Sequence, residues 1–234
     1  GQICYYFYAS CKYTNFNKDI NFSVPTGNFG NVFACYAAHK MGLPLNKIVV
    51  SVNENDILNR FFINNDYSKQ KVNETVSPSM DISVASNFER LIYDFYCARD
   101  SDLCKNFYST FPAKSINLPA GMWEKSKDLF LSYAVDNLKT IEAIQNVYKS
   151  HNYLIDPHTA VALVSVNKLN MNKEYPTLIL STAHPAKFPN SIQEAGISIK
   201  EMPKRLSDVY DKEEIFYEFL ADKNAIFNFI ASNN

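Results

Sequence analysis

Apolar and polar positions in the first quarter of this chain follow a strand, helix, strand, helix order. Phe22 and Val24 alternate with polar neighbours, which predicts a short strand over 21–24. Apolar positions recur at helical spacing over 32–41, and Gly42-Leu43-Pro44 stops that helix. Residues 47–52 (Lys-Ile-Val-Val-Ser-Val) are rich in β-branched residues, as in a strand buried on both faces, and 56–62 return to a helix. This order predicts an α/β fold, an open and mostly parallel sheet flanked by helices. Ahead of it, 3–13 read as an aromatic helix and 15–19 as a polar loop. Beyond it, 64–79 are polar and predict a surface loop, and Asn87 is placed to cap a helix reaching about residue 98. Residues 107–121 are irregular and carry Pro112 and Pro119. The stretch 136–150 predicts an amphipathic helix with Leu138, Ile141, Ile144 and Tyr148 on one face. Asp156-Pro157 opens another, with Asp as N-cap and Pro at the first helical position. Residues 177–180 (Thr-Leu-Ile-Leu) predict a second buried strand, and 215–230 a final helix rich in Phe.

Composition narrows the class. Hydrophobic residues make up 47% and charged residues 20%, as in a soluble globular chain. A net charge of −1 without a long charge run gives no electrostatic footing for nucleic acid or an anionic membrane. No window approaches the roughly 18 apolar residues of a membrane span, and no secretory signal is visible. Cys4, Cys11, Cys35, Cys97 and Cys104 are odd in number, irregular in spacing and free of CxxC pairs. They read as buried thiols in a reducing, cytoplasmic setting rather than a disulfide framework, and no metal site is expected. Gly1 is not Met, and Ile3-Cys4-Tyr5-Tyr6-Phe7-Tyr8 follows abruptly, so the expectation is a piece of a longer protein.

The chemistry centres on Val24-Pro25-Thr26-Gly27-Asn28-Phe29-Gly30-Asn31, a glycine turn between a strand and a helix. Such a turn aims backbone N–H groups and a helix N-terminus at one spot, which suits a phosphate. Glycine is scarce, 6 in 234 residues, and two of the six sit here. The turn matches neither GxGxxG nor a P-loop, and its plainer reading is a tight turn in which glycine supplies positive φ. Ser181-Thr182-Ala183-His184-Pro185-Ala186-Lys187-Phe188 also follows a strand, and ligands of open α/β sheets sit beyond the carboxyl ends of strands. Thr182 could therefore meet a ligand held by the turn, or be a satisfied turn hydroxyl; His184 could line the site. Asn55, Asp56 and Arg60 lie after the strand 47–52 and could contact polar substrate atoms, or form a cap and a solvated face. Ser77-Pro78-Ser79-Met80-Asp81-Ile82 could close over a site. Asp156 reads as a cap, and residues two apart on a helix do not face each other, so Asp156 and His158 are not expected to pair. Trp123 reads as packing.

In order along the chain, the turn 24–31, Asn53-Glu54-Asn55-Asp56-Ile57-Leu58, Ser77 to Ile82, Ser86-Asn87-Phe88-Glu89-Arg90-Leu91, Asp156-Pro157-His158-Thr159-Ala160-Val161 and Ser181 to Phe188 resemble the bacterial and fungal branch of threonine synthase. That family consists of fold type II enzymes dependent on pyridoxal 5′-phosphate. The resemblance implies conversion of O-phospho-L-homoserine and water into L-threonine and phosphate. It implies that Gly27, Asn28, Phe29, Gly30 and Asn31 cradle the cofactor phosphate and that Thr182 meets the pyridine nitrogen. Asn55, Asp56, Arg60 and Ser79 are candidates for the substrate. The family's Schiff-base lysine lies in a Ser/Thr-Phe-Lys-Asp-like motif upstream of the turn, and no such motif is present; Lys12 and Lys18 sit in unrelated contexts. The whole stretch 1–234 then corresponds to the C-terminal portion of the enzyme, with no catalytic residue of that kind and the N-terminal half as its missing partner. A phospho-lyase releasing a 2-oxo acid, a cofactor-binding protein without catalysis, and a nucleotide-binding module are the other readings.

Overall fold

The structure, a computed structural model, describes residues 1–199, 203, 207 and 212–233. These fall into two compact units, 1–199 and 200–234. In the first unit the order is α1 (Ile3–Thr14), β1 (Ile20–Pro25), α2 (Gly30–Lys40), β2 (Leu45–Val52), α3 (Ile57–Asn64), α4 (Phe88–Leu91), α5 (Ser101–Tyr108), α6 (Ala120–Trp123), β3 (Phe130–Ala134), α7 (Asn137–His151), α8 (Pro157–Leu169), β4 (Thr177–Ile179) and α9 (Pro189–Glu194). The second unit holds α10 (Lys223–Ser232). The strands form one four-stranded sheet in the order β3-β2-β1-β4, and every pairing is parallel.

Burial explains this sheet. Every residue of β1 is buried, because β1 is central and helices cover both faces. The Ser23 hydroxyl donates to the Ala162 carbonyl of α8 at 2.9 Å. The adjacent Phe22 points the other way and packs edge-on against Tyr6 of α1, ring centroids 4.9 Å apart. Helix α2 ends as expected: Gly42 takes a φ of +101°, and its N–H donates to the His39 carbonyl at 2.9 Å.

Several expectations are corrected. β4 is an edge strand whose three residues are all half-buried, so Thr-Leu-Ile is covered on fewer sides than a central strand. β3 carries no strong pattern of its own and is a strand through its pairing with β2. On α7 the inward stripe is Thr140, Ile141, Ala143 and Ile144, while Leu138 is 68% exposed. The segment 64–79 is more than a surface loop: Tyr67, Val76 and Ser77 are buried. Asn87 makes no side-chain cap, and α4 passes into a wider π turn (Ile92–Tyr96) that ends before Ala98 and Arg99, both at positive φ. In the second unit, α10 starts only at Lys223, where the Asp222 carboxylate accepts from the Asn224 N–H. Three thiols are wholly or partly covered, but Cys4 and Cys11 are exposed on α1. Among the described residues, no helix is long and apolar enough to cross a membrane.

Candidate functional site

The carboxyl end of β1 runs directly into the glycine turn. Thr26 N–H donates to the Ser51 carbonyl of β2, and Thr26 Oγ1 accepts from the Phe29 N–H at 3.0 Å, which folds the turn back on itself. Phe29 is in the left-handed region at φ +68°. A non-glycine residue stays there only when its surroundings hold it. The Phe29 ring is fully buried and meets Phe88 edge-on at 5.0 Å. Neither Gly27 nor Gly30 has positive φ, so the plainer reading of the turn is corrected. Gly27 is required by close approach instead, since a Cβ there would lie 3.0 Å from Met80 Cα and 3.2 Å from the Ser79 carbonyl oxygen. Among the described residues the N–H groups of Gly27, Asn28, Gly30 and Asn31 have no acceptor. The Asn28 side chain is occupied elsewhere, its Oδ1 accepting from Ser86 N–H and Oγ, both at 2.9 Å. Tyr6 OH donates to the Asn31 carbonyl at 2.6 Å and anchors α1 to the first turn of α2.

Around this turn lies a cleft of about 540 Å³, lined by Gly27, Asn28, Gly30, Asn31, Ser79 and Thr182, and also by Asn87, Arg90, His158 and Lys187. Thr182 is exposed, and its hydroxyl has no partner among the described residues, so it is not a satisfied turn hydroxyl. Phe29 faces the core instead of the cleft. Arg90 and Lys187 have no ion-pair partner among the described residues. The cleft thus combines unpaired N–H donors, a helix N-terminus and two cations, which together favour anionic groups. His184 caps the turn that follows it, its Nδ1 accepting from the Ala186 N–H at 3.1 Å, and it does not line the cleft.

Asp156 and His158 do pair, against the expectation from their spacing. Asp156 is the N-cap of α8 with an extended backbone (φ −77°, ψ 160°), so the helical spacing rule does not apply to it. Its Oδ1 accepts from the His158 and Thr159 N–H groups and from His158 Nδ1 at 2.8 Å. The Thr159 hydroxyl is also bonded to the carboxylate. Burial opposes the charge on Asp156, but the hydrogen bonds from His158 and Thr159 hold its carboxyl below the usual range. His158 Nε2 accepts from the Ser79 N–H at 3.2 Å. The signal for this pair was in the Asp-Pro-His-Thr string; what was lacking was the conformation of its first residue.

Asn55, Asp56 and Arg60 do not reach the cleft. Asn55 donates to Asp81 Oδ1 at 3.0 Å and to the Asn73 carbonyl at 2.9 Å, within a network of Asn53, Thr75 and Asp81 that ties down the loop 64–81. Arg60 joins Asp56 at 2.8 Å, Asp66 at 2.6 Å and the Ser68 carbonyl at 2.7 Å. Its donors are spent on its own chain. Arg60→Met therefore lowers stability by about 1–2 kcal/mol, the scale of a half-buried charge-assisted network, and leaves the KM for substrate unchanged; thermal melts and steady-state kinetics check the two halves. Ser79 alone of the four substrate candidates lines the cleft.

Comparison with known proteins follows the same geometry. A family model described as "Threonine synthase, C-terminal" matches residues 159–230. A threonine synthase of Pseudomonas aeruginosa is 40% identical over 216 residues, covering 92% of this chain and 46% of that protein. The crystal structure of a threonine synthase from Brucella melitensis, bound to pyridoxal phosphate, superposes with a TM-score of 0.88 at 31% identity, over 99% of this chain and 50% of that one. The threonine synthase from yeast superposes with a TM-score of 0.85 at 34% identity, over 99% of this chain and 52% of that one. The chain spans about half the length of the curated relatives it matches. By sequence and by fold alike, it corresponds to the C-terminal half of the threonine synthases.

Proposed function

We propose that the protein carrying this chain is a threonine synthase that converts O-phospho-L-homoserine and water into L-threonine and phosphate in the cytoplasm, with pyridoxal phosphate as cofactor. The observation that carries this reading is the meeting of the Gly27–Asn31 turn and Thr182 in one cleft beyond the carboxyl ends of β1 and β4. The residues present fit the cofactor: Gly27, Asn28, Gly30 and Asn31 line the cleft, and their N–H groups have no acceptor among the described residues. When bound, the cofactor supplies an electron sink for charge developing on the amino-acid substrate.

In this reading, Gly27, Asn28, Gly30 and Asn31 hold the cofactor phosphate through their N–H groups, and Phe29 holds the turn in shape from the core side. The Thr182 hydroxyl meets the ring nitrogen as a neutral partner, which does not keep that nitrogen protonated as a carboxylate would. Ser79, Arg90 and Lys187 bind the substrate phosphate and stabilise the charge it carries away as a leaving group. The lysine that bears the cofactor would come from the half of the relatives' length that this chain does not match.

The test is incubation of the full-length protein with pyridoxal phosphate and O-phosphohomoserine, with products identified by mass spectrometry. Threonine and phosphate in equal amounts are expected. Phosphate with 2-oxobutanoate would move the protein to a phospho-lyase, and bound cofactor without product to a protein that keeps the cradle alone.

A further inference from the structure

One buried carboxylate is linked to both walls of the cleft. Asp156 is fully buried and His158 is 3% exposed. His158 Nδ1 lies 2.8 Å from Asp156 Oδ1, and Nε2, across the ring, lies 3.2 Å from the Ser79 backbone nitrogen. A backbone N–H can only donate, so Nε2 is the acceptor and the ring proton sits on Nδ1, facing the carboxylate. Ser79 is in turn the wall against which Gly27 closes, with its carbonyl oxygen 3.2 Å from the place of a Gly27 Cβ. On the other side, the Thr159 hydroxyl that bonds Asp156 lies 3.3 Å from Ser181 Oγ, next to Thr182. The Phe188 ring covers the imidazole at 4.5 Å between centroids.

We propose that Asp156 and His158 are positioning residues for the phosphate cradle. Asp156 fixes the tautomer of His158, and His158 Nε2 fixes the Ser79 wall against Gly27, which sets the width of the turn that receives the phosphate. This rests on the reading of the Gly27–Asn31 turn as a phosphate site. A ring carrying its proton on Nε2 would oppose the Ser79 N–H, and a side chain without an acceptor would leave that N–H unpaired in the wall.

The experiment uses the full-length protein carrying this chain, as wild type, His158→Leu and His158→Gln. Dissociation constants are measured for pyridoxal phosphate and for unphosphorylated pyridoxal, together with amide hydrogen exchange at Ser79. His158→Leu is expected to weaken pyridoxal phosphate about tenfold, the worth of one buried hydrogen bond, to leave pyridoxal unchanged, and to raise exchange at Ser79 about tenfold. His158→Gln, whose side-chain oxygen can still accept, is expected to restore most of both. Should His158→Leu fail to fold, His158→Phe, a ring of similar size without an acceptor for the Ser79 N–H, carries the same expectation. Equal losses for pyridoxal and its phosphate, or a Ser79 amide as protected as in wild type, overturn the proposal. A wild type that binds the two ligands equally overturns the phosphate reading instead, while Ser79 exchange still decides whether His158 holds the wall.

Discussion

Gly27→Ala is expected to weaken pyridoxal phosphate binding by roughly 10- to 100-fold, measured as the dissociation constant of the full-length protein. The new Cβ would meet Met80 Cα at 3.0 Å and the Ser79 carbonyl oxygen at 3.2 Å, both of them backbone. Backbone cannot swing aside as the end of a flexible side chain can, so the turn and the Ser79 wall must separate. Overfilling a packed site of this kind costs about 1–3 kcal/mol, which corresponds to that range in affinity. Two other glycines serve as controls. At Gly30 a Cβ would meet the Asn87 amide nitrogen at 3.4 Å and Gln2 Oε1 at 3.7 Å, both at the ends of flexible side chains. Gly30→Ala should therefore be mild for the fold. At Gly42 nothing lies within 4 Å, but φ is +101°. Gly42→Ala should cost stability of about 1–2 kcal/mol through backbone strain and leave cofactor affinity untouched. A Gly27→Ala protein that binds the cofactor as tightly as wild type would sink the close-approach argument.

Asp156→Ala is expected to destabilise the fold by about 3–5 kcal/mol, the cost of breaking a buried charged network from one side. For a unit of this size that is a drop in melting temperature of roughly 10 °C. The carboxylate caps α8 through the His158 and Thr159 N–H groups, receives the His158 imidazole and binds the Thr159 hydroxyl. Alanine leaves all of these without their acceptor in a place closed to water. Asp156→Asn keeps the shape and one oxygen, and should cost well under half as much. The pH dependence follows from the same bonds. Burial opposes ionisation, but the hydrogen bonds from His158 and Thr159 win, and the folded-state pKa lies below the unfolded one. The stability contributed by the charge is then fully present above the ordinary carboxylate range, about pH 4, and is lost as the pH falls through the lowered value. The melting temperatures of wild type and Asp156→Asn should therefore differ at neutral pH and converge in acid. Parallel curves across the whole range would show that the charge contributes nothing.

Much of the framework was legible along the chain. The β-branched run of β2, the glycine stop after α2 and the Asp-Pro start of α8 are local signals, each acting through the conformation of a few adjacent residues. The meeting of the glycine turn with the segment after β4 was also foreseeable, because parallel strands present their carboxyl ends on one edge. Arg60 is the opposite case. Its type and place suit a substrate anion, but Asp66 and Ser68, a few residues further on, fold back and occupy its donors.

The α/β class, the order β1, α2, β2, α3 and the turn with its scarce glycines are written along the chain, because these depend on period and on short-range backbone preferences. Tertiary structure alone decided that β3 is a strand, that β4 lies at an edge, that Gly27 is needed for approach and not for φ, and that His158 turns one nitrogen to Asp156 and the other to Ser79. Each of these depends on what a distant segment places beside the residue. The Ser79 backbone reaches both Gly27 and His158 only after β1, α8 and the loop 64–81 have packed together, a proximity that no local pattern encodes.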